Sequence, residues 1–383
     1  RCAMYLTREE EKLLESNNDT IAKSMEILVA LGEIYGAEEL IDINSAHISG
    51  ISYQNIGDAG LEWLEGLDSE FKVKTTINPA GMDFLRWGEM GIDREFCEKQ
   101  KRVIRALESI GALAVMTCTP YYLEEVSYGE HLAWAESSAI IYANSVIGAR
   151  TNRESGISAI ASGIIGKTPY YGLHIKEKRA PNVLITLNDG VDPSVAGYRI
   201  GSMLKNEIPL LRVNRGFTND ELKLLGAAMA ATGNAAIYHV EGQTPEWDDF
   251  ETPQERLELD SKDLKEVEEF KCDPDLVALG CPHLSLDELQ RVLNALEKAG
   301  KVKRDLWVFT SRGVAERNAE VVDRIEGYGA KVFSDTCMVV SPATERYRCV
   351  MVNSGKALTY LPKLRKVNVV FGSLEECVDR AIT

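Results

Sequence analysis

The chain has 383 residues, is 45% hydrophobic and carries 43 lysines and arginines against 59 acids, a net charge of −16. A chain of that size buries a large core in two or three lobes, and its acidic balance argues against nucleic acid or an anionic membrane as main partner. No apolar run approaches the roughly 20 residues of a membrane span, and eight cysteines with neither close pairing nor a secretory leader point to the cytoplasm, with free or metal-bound thiols.

Met4 reads as a native start running directly into a helix signal, so Cys2 is set aside. Thr7-Arg8-Glu9-Glu10 is a capping box for a short helix, its hydroxyl and carboxylate satisfying the first free amides. A second helix is expected over Thr20 to Tyr35 and stops at Gly36, a residue that tolerates the left-handed backbone found past many helix ends. A strand over Leu40 to Ile43 leads into a loop of small and hydroxyl residues, Asn44 to Ser52, and then a helix near Asp58 to Leu64. The next strand, Phe71 to Ile77, ends at Asn78-Pro79-Ala80-Gly81-Met82-Asp83, and a helix over Arg94 to Ile110 precedes the apolar run Ala112 to Met116.

Further strands are expected at Val183 to Leu187, Ala235 to Val240, Leu276 to Leu279, Asp305 to Thr310, Lys331 to Phe333, Cys349 to Val352 and Val367 to Phe371, with amphipathic helices such as Leu286 to Leu296 and Val314 to Ile325 between some of them. Alternation of this kind makes parallel sheets with helices on both faces, an α/β fold. The acidic, proline-bearing stretch 241–263 is the expected lobe boundary, between an N-terminal α/β region 1–240 carrying Cys118 and a C-terminal one 264–383 carrying Cys281 and Cys337.

Those three cysteines share one position, each following an apolar run where it gives out into a short polar loop: Thr117-Cys118-Thr119-Pro120, Gly280-Cys281-Pro282-His283 and Ser334-Asp335-Thr336-Cys337. Each reads as a cysteine at the carboxyl end of a strand, and in an open α/β sheet such ends converge on one crevice. Three thiolates with one vacant position suit an iron-sulfur cluster doing Lewis-acid work. Zinc and plain buried thiols are the competing readings.

His47, with Ser49 beside it, is the candidate catalytic pair, able to act as an acid or to orient one, although a lone loop histidine is more often a satisfied hydrogen-bonder. Gly50-Ile51-Ser52 ahead of a helix can present amides to an anion, whereas Asn78-Pro79-Ala80-Gly81 also reads as a turn. Trp134-Ala135-Glu136-Ser137-Ser138 and the polar residues up to Arg153 put many polar groups on what otherwise reads as a buried helix, which suits a ligand or a polar network as well as a solvated face. Ser354-Gly355-Lys356 looks like the end of a phosphate loop, but Val350 stands where that motif needs glycine and Ala357 where it needs a hydroxyl, so ATP hydrolysis is rejected. Lys356 stays a candidate for a substrate anion. Without GxGxxG at a strand-to-helix junction, a dinucleotide site has no support.

Read together and in order, Ser45-Ala46-His47-Ile48-Ser49-Gly50, Asn78 to Asp83, Thr117 to Tyr121, Gly148 to Glu154, Gly280 to His283 and Asn353 to Lys356 resemble the aconitase X family, nearest its archaeal branch, over almost the whole chain. The resemblance implies a multi-lobed, aconitase-like three-layer fold and a 4Fe-4S cluster on Cys118, Cys281 and Cys337, or 3Fe-4S once the labile iron is lost. It further implies a substrate pocket drawn from Gly50, Ile51, Ser52, Asn78, Pro79, Glu136, Ser137 and Lys356. Ordinary aconitases use a CxxC pair that this chain lacks. The implied activity is a hydro-lyase acting on a small phosphorylated hydroxy acid, mevalonate 5-phosphate, to give anhydromevalonate phosphate in archaeal isoprenoid synthesis. Dehydration of cis-3-hydroxy-L-proline, as in bacterial members, is the alternative within the family, and a non-catalytic iron-sulfur sensor or scaffold is the alternative outside it. The family's likeness also implies a small swivelling subunit supplying a serine base. No such unit is recognisable here, so a heteromer is expected.

Overall fold

The structure is a computed structural model that describes residues 4–188, 190–259 and 272–383. Cys2, the end of the acidic stretch (260–263) and the start of the expected C-terminal region (264–271) lie outside the described residues. The N-terminal signals act as read. Thr7 and Glu10 close a reciprocal capping box on helix Arg8–Leu14, and helix Asp19–Tyr35 ends at Gly36 in the left-handed conformation, φ 73°.

The first lobe holds strands β1 (Leu40–Asp42), β2 (Ser45–Ile48), β3 (Lys74–Ile77), β4 (Leu132–Trp134) and β5 (Lys167–Pro169). β1 and β5 form an antiparallel pair, while β3-β2-β4 is a parallel sheet with β2 at its centre. The expected loop after the first strand is therefore a buried central strand, and His47 sits in it. Small and hydroxyl residues can be buried there because their polar atoms find partners on neighbouring strands: Ser45 Oγ accepts from Trp134 Nε1 at 3.2 Å, and His47 Nδ1 meets Thr76 Oγ1 at 2.7 Å.

Ala112 to Met116, expected as a strand, runs beside β3 with one isolated bridge, Thr76 to Leu113. Met116 leaves the ladder at φ 45°, the left-handed region that ends regular pairing. Cys118 thus hangs from an irregular turn.

The second lobe is a parallel four-stranded sheet of β6 (Val183–Leu187), β7 (Pro209–Val213), β8 (His239–Val240) and β9 (Glu255–Leu259), in the order β8-β7-β6-β9. Of the acidic stretch, residues 255–259 supply β9, which pairs with β6, and Glu246 is buried against Arg179. The third lobe is a parallel five-stranded sheet of β10 (Leu276–Leu284), β11 (Asp305–Thr310), β12 (Lys331–Phe333), β13 (Cys349–Val352) and β14 (Asn368–Phe371), in the order β12-β11-β10-β13-β14. Alternate residues of its central strands enter opposite cores: Leu276, Ala278, Trp307 and Val350 on one face, Val277, Leu279, Leu306 and Met351 on the other. Burial on both faces is what makes these strands near-continuous apolar runs. The helix expected over Val314 to Ile325 is broken at Asn318 into Arg312–Arg317 and Ala319–Gly327.

One cysteine expectation is corrected. Cys272 and Cys349 form a disulfide, their Cα atoms 6.2 Å apart. They lie at the entry ends of neighbouring parallel strands, since β10 pairs with β13 from Leu276 and Val350 onward. That edge is opposite to the one where Cys281 sits. Among the described residues no helix is long and apolar enough to cross a membrane.

Candidate functional site

The three cysteines line one cavity, reached from two sheets rather than one. Cys118 comes from the turn beside β3, Cys281 from the second half of β10 beyond its bulge, and Cys337 from the loop after β12. All three line one cavity of about 270 Å³, shared with Ser49, Gly50, Pro79, Glu136, Ser137, Arg153, His283 and Lys356. Glycine before Cys281 is a packing requirement: Gly280 has φ 107°, and a Cβ there would lie 2.2 Å from the Phe309 carbonyl oxygen.

A buried ion pair lines the same cavity. Lys356 Nζ donates to Glu136 Oε1 and, at 3.0 Å, to Ser138 Oγ. Ser49 Oγ donates to Glu136 Oε2 at 3.1 Å, and Asn78 Nδ2 donates to the same oxygen at 3.3 Å and touches His47 Nε2 at 3.3 Å. Lys356 is aimed by helix Gly355–Leu364, whose cap, Ser354, accepts from Ala357 N and donates to the Cys281 carbonyl. The phosphate-loop look of Ser354-Gly355-Lys356 is thus a helix start that ties Lys356 to the Cys281 strand.

Charge states follow from burial and partners. Burial alone would raise Glu136, yet Lys356, aided by His47 and Ser49, takes it down to about 2. Burial would lower Lys356, but Glu136, Cys281 and Cys118 together raise it. Burial outweighs the pull of Glu136 on His47 and takes that ring down to about 4, so it is neutral near pH 7. Burial pushes the Cys118 thiol up to about 12. A hydrogen bond from Cys281 overcomes burial to bring Cys337 down to about 7, and the same bond raises Cys281.

The sequence-derived candidates fall into two layers. Ser49, Gly50, Pro79, Glu136, Ser137, Lys356 and the three cysteines line the cavity. His47, Ile51, Ser52 and Asn78 are buried without lining it, and among the described residues Ser52 Oγ and Asn78 Oδ1 have no hydrogen-bond partner. Asn55, Arg153, Val339, Val340 and Tyr360 also line the cavity and were not singled out as site residues. Arg153 belongs to the polar segment noted in the sequence; it donates to the carbonyls of Ala230 and Ala235 at 3.0 and 3.5 Å.

The donor set itself is soft: three thiols on one cavity, beside a lysine whose charge offsets thiolates. Among the described residues no three His, Cys, Asp or Glu side chains converge closely enough to hold a single metal ion. Three thiols lining one cavity are the donor type an iron-sulfur cluster takes, each thiol binding its own iron.

Comparison with known proteins covers nearly the whole chain. Family models described as aconitase X first, second and third domains match residues 3–177, 181–269 and 274–383. The phosphomevalonate dehydratase large subunit of Methanosarcina mazei is 49% identical over 387 residues, covering 99% of this chain and 97% of that protein. The cis-3-hydroxy-L-proline dehydratase of Hypocrea jecorina is 33% identical over 398 residues, covering 94% of this chain but 65% of its own length. The crystal structure of Thermococcus kodakaraensis aconitase X in its holo-form superposes with a TM-score of 0.92 at 41% identity, covering 99% of this chain and all of that one.

Proposed function

This chain belongs to the aconitase X family, and on that premise we propose that it is the large, site-bearing subunit of a hydro-lyase that converts mevalonate 5-phosphate to anhydromevalonate phosphate. The observation that carries the reading is a single cavity lined both by three thiols and by the buried Glu136–Lys356 pair. Cys118, Cys281 and Cys337 would hold a 4Fe-4S cluster, or 3Fe-4S after loss of the labile iron. When bound, the cluster would supply a Lewis acid for the departing hydroxyl and the substrate carboxylate.

The chain's own groups bind and orient. Gly50, at φ 84° with open space where a Cβ would point, brings backbone to the cavity wall beside the start of helix Tyr53–Glu65. Lys356 adds a permanent positive charge to that wall. Glu136, held near 2, is a poor proton acceptor at neutral pH. Its oxygens fix Lys356 and Ser49 instead. His47, neutral, props Asn78 from behind. The proton beside the carboxylate would be taken by a serine from a small partner subunit, a step whose general-base help is worth about 10² to 10⁴ in rate.

The test is anaerobic co-purification with the small subunit and assay on both mevalonate 5-phosphate and cis-3-hydroxy-L-proline. Water loss from the phosphorylated acid supports the proposal. Turnover of hydroxyproline alone replaces it with the other dehydratase activity, and turnover of neither leaves a non-catalytic iron-sulfur subunit.

A further inference from the structure

We propose that His283 is the positioning residue that keys the three cysteine loops to one another, a role that rests on the cluster reading above. His283 is 1% exposed, and every polar atom it has is committed. Its backbone N–H donates to Cys118 Sγ at 3.2 Å. Its Nε2 meets the Thr336 carbonyl at 2.8 Å, and its Nδ1 meets Thr117 Oγ1 at 2.9 Å. Its own carbonyl accepts from Lys223 Nζ at 3.2 Å.

The partners fix the tautomer. A carbonyl oxygen only accepts, so Nε2 carries the proton, and the bare Nδ1 accepts the Thr117 hydroxyl. Thr117 Oγ1 in turn lies 2.9 Å from Thr119 Oγ1 and accepts from Thr119 N at 3.1 Å, closing the turn around Cys118. Thr117 and Thr119 flank one ligand, Thr336 directly precedes the second, and His283 is two residues past the third. One imidazole therefore touches all three segments. These are contacts 165, 166 and 53 residues apart along the chain.

The clamp is anchored from behind. Lys223, fully buried, is paired with Glu288 and, at 3.2 Å, with Asp220. Asp220 also accepts from Tyr122 at 2.9 Å and Ser285 at 2.7 Å. Helix Asn219–Gly233 of the second lobe thereby holds the Cys281–His283 segment. All three lobes contribute to the arrangement.

Groups that orient metal ligands from behind typically change metal affinity or activity about 10- to 100-fold when removed, and N–H bonds to a ligand sulfur tune cluster properties. The experiment compares wild type, His283→Ala, His283→Asn and Thr117→Val in the complex with the small subunit after anaerobic reconstitution with iron and sulfide. Read out are iron and labile sulfide per chain, the paramagnetic resonance spectrum of the oxidised cluster, the rate of cluster loss to a chelator, and the melting temperature of the apo form. Expected for His283→Ala is cluster loss about 10- to 100-fold faster with an altered spectrum. His283→Asn, whose amide reaches the Thr117 side but not Thr336, is expected in between, and Thr117→Val loses cluster faster while keeping the ring. The same loss rate and spectrum as wild type in the variants, or a lowered apo melting temperature with an unchanged cluster, overturns the proposal. A wild type that takes up no cluster overturns the cluster reading itself.

Discussion

Replacing Lys356 by Met leaves Glu136 buried at 8% exposure without its counter-charge. The carboxyl now sits at about 2 against an ordinary 4.5, a gap equivalent to about 3 kcal/mol of folded-state stabilisation. Breaking a buried pair on one side typically costs about 3 to 5 kcal/mol, so two routes give the same size of effect. Guanidinium unfolding followed by tryptophan fluorescence should show that loss in Lys356→Met near neutral pH. Without Lys356, burial pushes Glu136 above its unfolded value, so the variant gains stability as pH falls toward 4.5, while the wild-type contribution is lost as pH falls from 4.5 toward about 2. The double variant Lys356→Met/Glu136→Gln, which buries no charge, should recover most of the stability yet remain inactive. A Lys356→Met protein as stable as wild type, or a double variant no better than the single, would show that Glu136 does not depend on Lys356 as its buried counter-charge.

Three further outcomes follow from the same geometry. Each of Cys118→Ser, Cys281→Ser and Cys337→Ser should lower bound iron and sulfide and abolish turnover, whereas Cys97→Ser, buried away from the cavity, should do neither; iron analysis decides. Gly50→Val, forced to φ 84°, should cost about 1 to 2 kcal/mol and raise KM for the substrate through the displaced backbone, read by denaturation and steady-state kinetics. Burial takes His47 and His239 from 6.5 to about 4 and His174 to about 3, so below 6.5 the unfolded chain takes up protons that the folded one refuses. Stability should therefore fall as pH drops from 6.5 toward 4, by about 1.4 kcal/mol per pH unit for each histidine; unfolding midpoints that stay flat across this window would contradict it.

Much of the fold was readable because its signals are local. The Thr7 to Glu10 box and Gly36 act within one helical turn, and the apolar runs before Cys281 and Cys337 are buried on both faces, so they read as strands. β2 escaped because its burial depends on partners, Trp134 and Thr76, that lie far along the chain. Pro209–Val213 and Glu255–Leu259 also escaped, the first ending in an arginine and a half-buried valine and the second mostly polar outside its last residue. The Cys272–Cys349 pairing arises from strand order, β10 beside β13, which no spacing rule discloses. At the site, Lys356 and Glu136 stood out as candidates, but their mutual pairing across 220 residues did not. His283 was visible within its motif, while its role needs three loops seen at once.

In the proposed function, three remote thiols share one iron-sulfur centre with an iron left open to substrate. Mössbauer spectroscopy of the anaerobically reconstituted complex, with and without mevalonate 5-phosphate, tests it most directly. One iron subsite of the cluster alone should change when substrate is added, and the cluster should be absent when any one of Cys118, Cys281 and Cys337 is Ser. A spectrum indifferent to substrate, or full iron content in a cysteine variant, would contradict it.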